Sequence, residues 1–255
     1  MTWSARQYSA FEAERTRPVR DLVAAIPQIE VNRAVDLGCG PANSTEVLAD
    51  RFPAAQILGI DSSDDMLLAA RQRLPHAQFA LADIADWRAP EPVDVILANA
   101  SLQWLPDHAT LYPRLLQQLQ PGGVLAIQTP DNLDEPAHVL MREVAAAGPW
   151  ADRIADVQQR PRHDARFYHA LLRPSCRNVE IWRTTYYHVL PGGPAAIVDW
   201  FKSTGLRPFL APLTPDEQSV YLARYLAAIA QAYPALADGS VLLPFPRLFI
   251  VAQRI

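Results

Sequence analysis

Four polar residues recur where an apolar run gives way to a loop, and their types select a ligand. The first is Asp36, in Asp36-Leu37-Gly38-Cys39-Gly40. Glycines in such a turn let backbone approach a ligand closely, and the helix that follows offers free N–H groups. A dinucleotide loop wants a third glycine, so that a helix can pack against a pyrophosphate. Asn43 stands at that position. A carboxylate at Asp36 would repel a pyrophosphate and suits a cation or an amine. Asp61 follows Gly40 by 21 residues, where a carboxylate can accept both hydroxyls of a ribose. Asp83 closes the next apolar run, within reach of an adenine amino group, and Asn99 ends the one after. Each acid alone could be a turn or cap residue. The ordered set lines one crevice at the carboxyl ends of parallel strands, and the ligand it suits is cationic rather than phosphorylated.

The elements that must position this set alternate in type. Leu22, Val23 and Ile26 give a first helix an apolar face, and Arg33–Leu37 reads as a short buried strand. Helices are expected over Ser44–Arg51, Ser63–Arg73 and Thr110–Gln118, with strands at Gln56–Ile60, Ala77–Ala82, Val93–Ala98 and Val124–Gln128. This alternation predicts an α/β fold with a doubly wound, mostly parallel sheet. Beyond Pro130 the pattern predicts helices over Pro136–Ala147, Gln158–Arg173, Pro194–Phe201 and Pro215–Ala232, and strands over Val179–Val189 and Arg247–Gln253. The expected organisation is one domain over residues 1–255. Its cofactor half is 1–130, helical insertions at 131–178 and 190–244 form a substrate cap, and closing strands occupy 179–189 and 245–255.

Composition excludes several classes. The 255 residues are 50% hydrophobic, with 27 acids against 23 bases and a formal charge of −4. Disordered, collagen-like and disulfide-framework chains are excluded, and a main partner that is nucleic acid or an anionic membrane is disfavoured. Cys39 and Cys176 match no metal spacing, so no metal is expected and a reduced, cytoplasmic compartment is. The charged opening has no apolar core of a signal peptide, and no uncharged run approaches the roughly 18 residues that span a bilayer. Lys202 is the only lysine, so a Schiff-base mechanism has a single candidate.

The acid–Gly-x-Gly loop, the acid ending the next strand and Leu119-Gln120-Pro121-Gly122-Gly123 resemble the class I S-adenosylmethionine-dependent methyltransferases. That resemblance implies a Rossmann-like seven-stranded sheet, with Leu119–Gly123 as a turn before the fifth strand. It implies S-adenosylmethionine as cofactor and S-adenosylhomocysteine as product. Asp36 and the Gly38 and Gly40 backbone would face the methionine end, Asp61 the ribose, and Asp83 with Ile84 the adenine. Further contacts are implied at Tyr8, Arg17, Cys39, Asn43, Ser62, Met66, Asn99 and Ala100. Met66 is equally well a core residue. Residues 3–8 with Arg15–Arg17 read as a short lid or as an exposed N-terminal helix. Ala42 departs from the pattern, since many members carry glycine there.

Further segments, Asn99–His108, Thr129–Pro136, Trp182–His188, Ser203–Leu210 and Leu243–Phe249, resemble a subfamily that esterifies one carboxylate of a small tricarboxylic acid. The implied partner is a small polycarboxylate. Carboxylates are ionised at pH 7, so attack on a sulfonium methyl needs no general base. His108, His163, His169 and His188 are therefore expected to be structural or solvent-facing. In-line positioning and water exclusion, which together supply about 7–11 kcal/mol, would carry catalysis.

Arg suits such a substrate because its planar fork matches carboxylates bidentately. Residues 157–185 carry a local balance of +4, which leaves −8 on the rest. These arginines are either a solvated face or include cleft residues, for which Arg162, Arg166 and Arg183 are the candidates. Arg247, among aromatic and apolar neighbours, is another. Gln103, Trp104, Tyr186 and Tyr187 are candidates for orienting the reacting carboxylate. Tyr186 and Tyr187 point to opposite faces of a strand, so at most one does so. Methylation of another small carboxylate or hydroxylated metabolite, nicotinamide-dependent redox chemistry and cofactor binding without turnover are the alternatives.

Overall fold

A computed structural model describes residues 12–157, 163–202 and 204–255, with side chains from residue 16 onward. The elements in chain order are α1 (Glu12–Ala24), β1 (Arg33–Leu37), α2 (Asn43–Arg51), β2 (Gln56–Asp61), α3 (Asp64–Arg73), β3 (Gln78–Leu81) and β4 (Val93–Asn99). A 3-10 turn at Leu102–Trp104 leads to α4 (His108–Gln117) and β5 (Leu119–Pro130). There follow α5 (Pro136–Ala146), α6 (Ala151–Ile154), α7 (Ala165–Leu172), β6 (Cys176–Leu190), α8 (Pro194–Lys202), α9 (Arg207–Leu210), α10 (Pro215–Ala232) and β7 (Val241–Arg254).

The seven strands form one sheet in the order β3-β2-β1-β4-β5-β7-β6. The pairs β1/β2, β2/β3, β1/β4 and β4/β5 are parallel, and β5/β7 is antiparallel. Strand order therefore reverses between β1 and β4, which opens a crevice at their carboxyl ends.

The chain divides into two compact units. One comprises the chain up to Pro130 with His163–Thr184 and Arg247–Ile255; the other comprises Asp131–Arg162 and Thr185–Pro246. Strands β6 and β7 each contribute residues to both.

The first unit is built on β1, β4 and β5, whose inward side chains (Val35, Leu37, Ile96, Leu125, Ile127) are buried with Ile250 of β7. Burial of each such side chain contributes about 1.5–3 kcal/mol. Leu22, Val23 and Ile26 are buried too, as their helical spacing requires. The Leu119–Gly123 segment differs from the expected turn. Leu119 already pairs with Val93, and Val124 pairs with Val95, so the segment is a bulge inside β5. Gly122, at φ +81°, supplies the left-handed step that the excursion needs.

In the second unit α10 packs on α5 and α8. Its start is fixed by a capping box in which Thr214 and Glu217 satisfy each other's backbone N–H. Tyr221 and Tyr225 are buried, and their hydroxyls donate to the carbonyls of Met141 (2.7 Å) and Ala137 (2.9 Å). Trp150 packs against Tyr221 with ring centroids 5.4 Å apart. At the end of α8, Lys202 Nζ reaches Asp199 Oδ1 at 2.7 Å on an exposed face. Among the described residues no helix is long and apolar enough to cross a membrane.

Candidate functional site

Strand β1 ends in a loop that is tied to its neighbours at every step. The Gly38 and Cys39 N–H groups both donate to the Ile60 carbonyl, at 2.7 and 2.9 Å. Gly38 lies at φ +75°, and a Cβ on it would sit 2.4 Å from Cβ of Ser101. Glycine is therefore required there twice over, by backbone sign and by close approach. Ser101 closes the same corner by donating its hydroxyl to the Leu37 carbonyl at 2.6 Å. Ala42 precedes α2 at φ +70°, so alanine adopts the left-handed conformation that glycine would hold without strain.

The loop and the strand ends beside it wall a cavity of about 340 Å³, within the range that holds small ligands. Gly38, Gly40, Asp61, Ser62, Met66, Asp83, Ile84, Asn99, Ala100 and Trp104 all line it. Three of the four residues named from strand ends, Asp61, Asp83 and Asn99, thus meet in one place. Asp61 Oδ2 accepts the Gly40 N–H and its Oδ1 accepts the Ser63 N–H, each at 2.9 Å. Burial pushes this carboxyl above the ordinary aspartate value, opposed by those N–H groups. Asp83 Oδ1 accepts the Ala85 N–H at 2.8 Å. The Oδ1 of Asn99 is buried with no hydrogen-bond partner among the described residues, an acceptor left over at the cavity wall.

Three residues expected in the cofactor set stand behind the wall. Asp36 is fully buried, and its Oδ2 accepts the hydroxyls of Ser44 (2.7 Å) and Thr45 (2.8 Å) on α2. Its carboxylate thus turns toward the start of α2, and burial raises its pKa to about 6 against the pull of those hydroxyls. Cys39 is buried, and burial with the Asp36 and Asp61 charges pushes its thiol far up, so it is no nucleophile. Asn43 starts α2 and is buried. Arg17 is exposed on α1 and bonds Asp21 at 3.0 Å. Tyr8 lies outside the described residues.

Beyond Asn99, Ala100 is held at φ +52° by two contacts. Its N–H donates to the Gln128 carbonyl (2.8 Å), and its own carbonyl accepts from Gln103 Nε2 (2.7 Å). Gln103 is buried by this contact, whereas Trp104 is 51% exposed at the cavity. His108 braces the turn. Its Nε2 faces the Leu102 carbonyl at 3.0 Å, which can only accept, so in the neutral ring Nδ1 accepts the Tyr168 hydroxyl at 2.7 Å.

The other acceptor candidates scatter. Arg247 is 4% exposed on β7 and donates from Nη1 to Gln128 Oε1 at 2.9 Å. Arg166 and Arg183 are exposed, and Arg162 lies outside the described residues. Tyr186 is half-buried and Tyr187 is 64% exposed, the opposite-face alternation expected of a strand. His163 stacks on Phe167, with ring centroids 3.8 Å apart, and His188 stacks on Trp200 at 4.8 Å. Ser101 and Gln128 belong to this corner with little to mark them in the sequence: Ser101 stands two residues after Asn99, and Gln128 is the first polar residue after the apolar run Val124–Ile127.

Residues 34–123 match the family model of a methyltransferase domain. The chain is 56% identical to the trans-aconitate 2-methyltransferase of Yersinia pestis (strain Pestoides F) over 253 residues, 98% of either chain. Among solved structures it is similar to the YcgJ protein of Bacillus subtilis, with a TM-score of 0.60 at 11% identity over 93% of this chain and 98% of that one. It is also similar to a phosphoethanolamine N-methyltransferase of Haemonchus contortus solved with S-adenosylhomocysteine, with a TM-score of 0.55 at 16% identity over 93% of this chain and 52% of that one. These two likenesses show the fold. Identity of 56% along nearly the whole chain shows more: the protein belongs to the trans-aconitate 2-methyltransferase family.

Proposed function

We propose that the protein transfers the methyl group of S-adenosylmethionine to one carboxylate of trans-aconitate, giving a monomethyl ester and S-adenosylhomocysteine. The observation that carries the cofactor assignment is the cavity wall itself. Gly38 and Gly40, the acids Asp61 and Asp83, and Asn99, whose Oδ1 is buried without a partner among the described residues, line one space. An ammonium or a ribose hydroxyl supplies the donors that such acceptors lack. Family membership supports the acceptor.

The bound donor supplies a methyl group activated by the sulfonium charge. The chain's own part is to bind and orient. Asp61 holds the Gly40 end of the loop while offering its carboxylate to the ribose. Asp83 and Ile84 take the adenine end, and Met66 closes the apolar side. Asp36, behind the loop, adds negative charge that favours a cationic ligand. An acceptor carboxylate is ionised at pH 7 and has no proton to lose, so the chain need supply no general base. His108, engaged by Leu102 and Tyr168, is a positioning residue for the turn that carries Gln103 and Trp104. Arg247 is assigned to the acceptor, with Gln103 and Trp104 at the reacting end.

A radiolabelled methyl-donor assay with trans-aconitate, citrate, isocitrate and cis-aconitate tests this reading. Label in an ester of trans-aconitate is the expected result. No label in any ester refutes the proposal, and label only in another acceptor reassigns the substrate.

A further inference from the structure

Gln128 lies near the carboxyl end of β5, directly after the apolar run Val124–Ile127, and is fully buried. Its Oε1 accepts from Arg247 Nη1 at 2.9 Å, and its Nε2 has no hydrogen-bond partner among the described residues. The amide orientation is forced. A guanidinium only donates, so the oxygen must face Arg247 and the N–H groups must point elsewhere. A buried donor with nothing to donate to is costly, and such groups in native structures mark a bound water or ion, a ligand or a functional constraint.

Register places this donor. Gln128 pairs with Asn99 of β4 across the parallel ladder, at the level where β4 lines the cofactor cavity. Arg247 pairs with Pro130 across the antiparallel one, so Arg247 and Gln128 stand on the same face of the sheet. The carboxyl ends of β4 and β5, with the stretch of antiparallel β7 beside them, therefore present a leftover acceptor, Asn99 Oδ1, beside a leftover donor, Gln128 Nε2, beside a guanidinium. Acceptor on one side and donors on the other is the polarity needed where a cationic ligand meets an anionic one.

We propose that Gln128 Nε2 and the Arg247 guanidinium together seat one carboxylate of the acceptor, and that this is a spectator carboxylate rather than the one methylated. Two charge-assisted donors hold a carboxylate firmly and in one plane. Applied to the reacting oxygen, the same grip would stabilise the ground state and oppose attack. This inference rests on the acceptor being a polycarboxylate, as proposed above.

The variant that separates recognition from bracing is Gln128→Glu. It keeps the size and the acceptor toward Arg247 while replacing the donor with a negative charge. The expected result is a rise of about 30-fold or more in the KM for trans-aconitate, with S-adenosylhomocysteine affinity unchanged. The preference for the triacid over an analogue with one spectator carboxylate converted to a carboxamide should collapse in the same variant. If Gln128 only braces Arg247, Gln128→Glu braces it at least as firmly, and wild-type KM and preference overturn the proposal.

Calorimetric binding of trans-aconitate in the presence of S-adenosylhomocysteine reads the seat apart from turnover. Binding by the wild type that is lost in Gln128→Glu supports the seat even if no ester forms, and equal binding by both overturns it. Should Gln128→Glu fail to fold, Gln128→Met carries the test. Acceptor affinity reduced about tenfold supports the seat, and unchanged affinity overturns it.

Discussion

The Gly40 N–H donates to Oδ2 of Asp61 at 2.9 Å, so the acid that closes β2 is built into the glycine loop that closes β1. Cofactor recognition and loop geometry thus share one carboxylate. Asp61→Asn must turn its N–H2 toward either the Gly40 or the Ser63 N–H, leaving one backbone donor opposed. Isothermal titration should show S-adenosylhomocysteine affinity reduced about tenfold or more, with a smaller loss of thermal stability. Affinity within error of wild type would refute the shared role.

Asp36 gives a pH signature. Its folded pKa of about 6 lies above the reference value of 3.8, so between those values the native protein binds more protons than the unfolded chain. Stability from this group therefore falls as pH rises through that window and is flat above it, a total of roughly 3 kcal/mol. Asp36→Asn keeps an acceptor for Ser44 and Thr45 without the buried charge. Urea titrations should find the variant more stable than wild type above about pH 6 and its profile flatter below. The same change should weaken S-adenosylmethionine more than S-adenosylhomocysteine, because only the former carries the sulfonium charge.

Alanine at Gly38 and at Gly40 separates close approach from backbone sign. Both glycines have positive φ, but an added Cβ meets Ser101 at Gly38 and nothing within 4 Å at Gly40. Gly40→Ala should cost about 1–2 kcal/mol of stability, and Gly38→Ala distinctly more with loss of cofactor binding. Equal losses on denaturant titration would contradict the packing described for Ser101.

Tyr168→Phe leaves Nδ1 of His108 without the hydroxyl that now donates to it. The expected cost is about 1–2 kcal/mol, read as a lower Tm, with S-adenosylhomocysteine affinity retained because the turn's Leu102 contact survives. No change in Tm would show that the hydroxyl contributes nothing.

Much of the fold is legible in the sequence because period and punctuation agree: apolar runs of strand length stop at Asp61 and Asn99, and the amphipathic stretches Asp64–Arg73 and His108–Gln117 follow them. The cavity wall is legible for the same reason, since the carboxyl end of a parallel strand is a place that sequence can mark. Asp36 shows the limit. Its spacing puts it at the strand end, but whether its carboxylate faces the cavity or α2 is decided by the hydroxyls of Ser44 and Thr45, which compete for it locally. The Pro121-Gly122-Gly123 bulge escaped because turn residues look alike whether they separate two elements or interrupt one. Gln128 escaped because its meaning is long-range: only pairing β5 with β7, 119 residues later at Arg247, shows that one half of its amide is occupied and the other is not.

Lys202, exposed at the end of α8 and held by Asp199, is the chain's only lysine in 255 residues. For the bench chemist this is a ready-made handle. An amine-reactive dye or biotin used under conditions that spare the α-amine would attach at one defined position, with no cysteine engineering. Its spectroscopic or force signal would then come from a known helix of an otherwise native sequence.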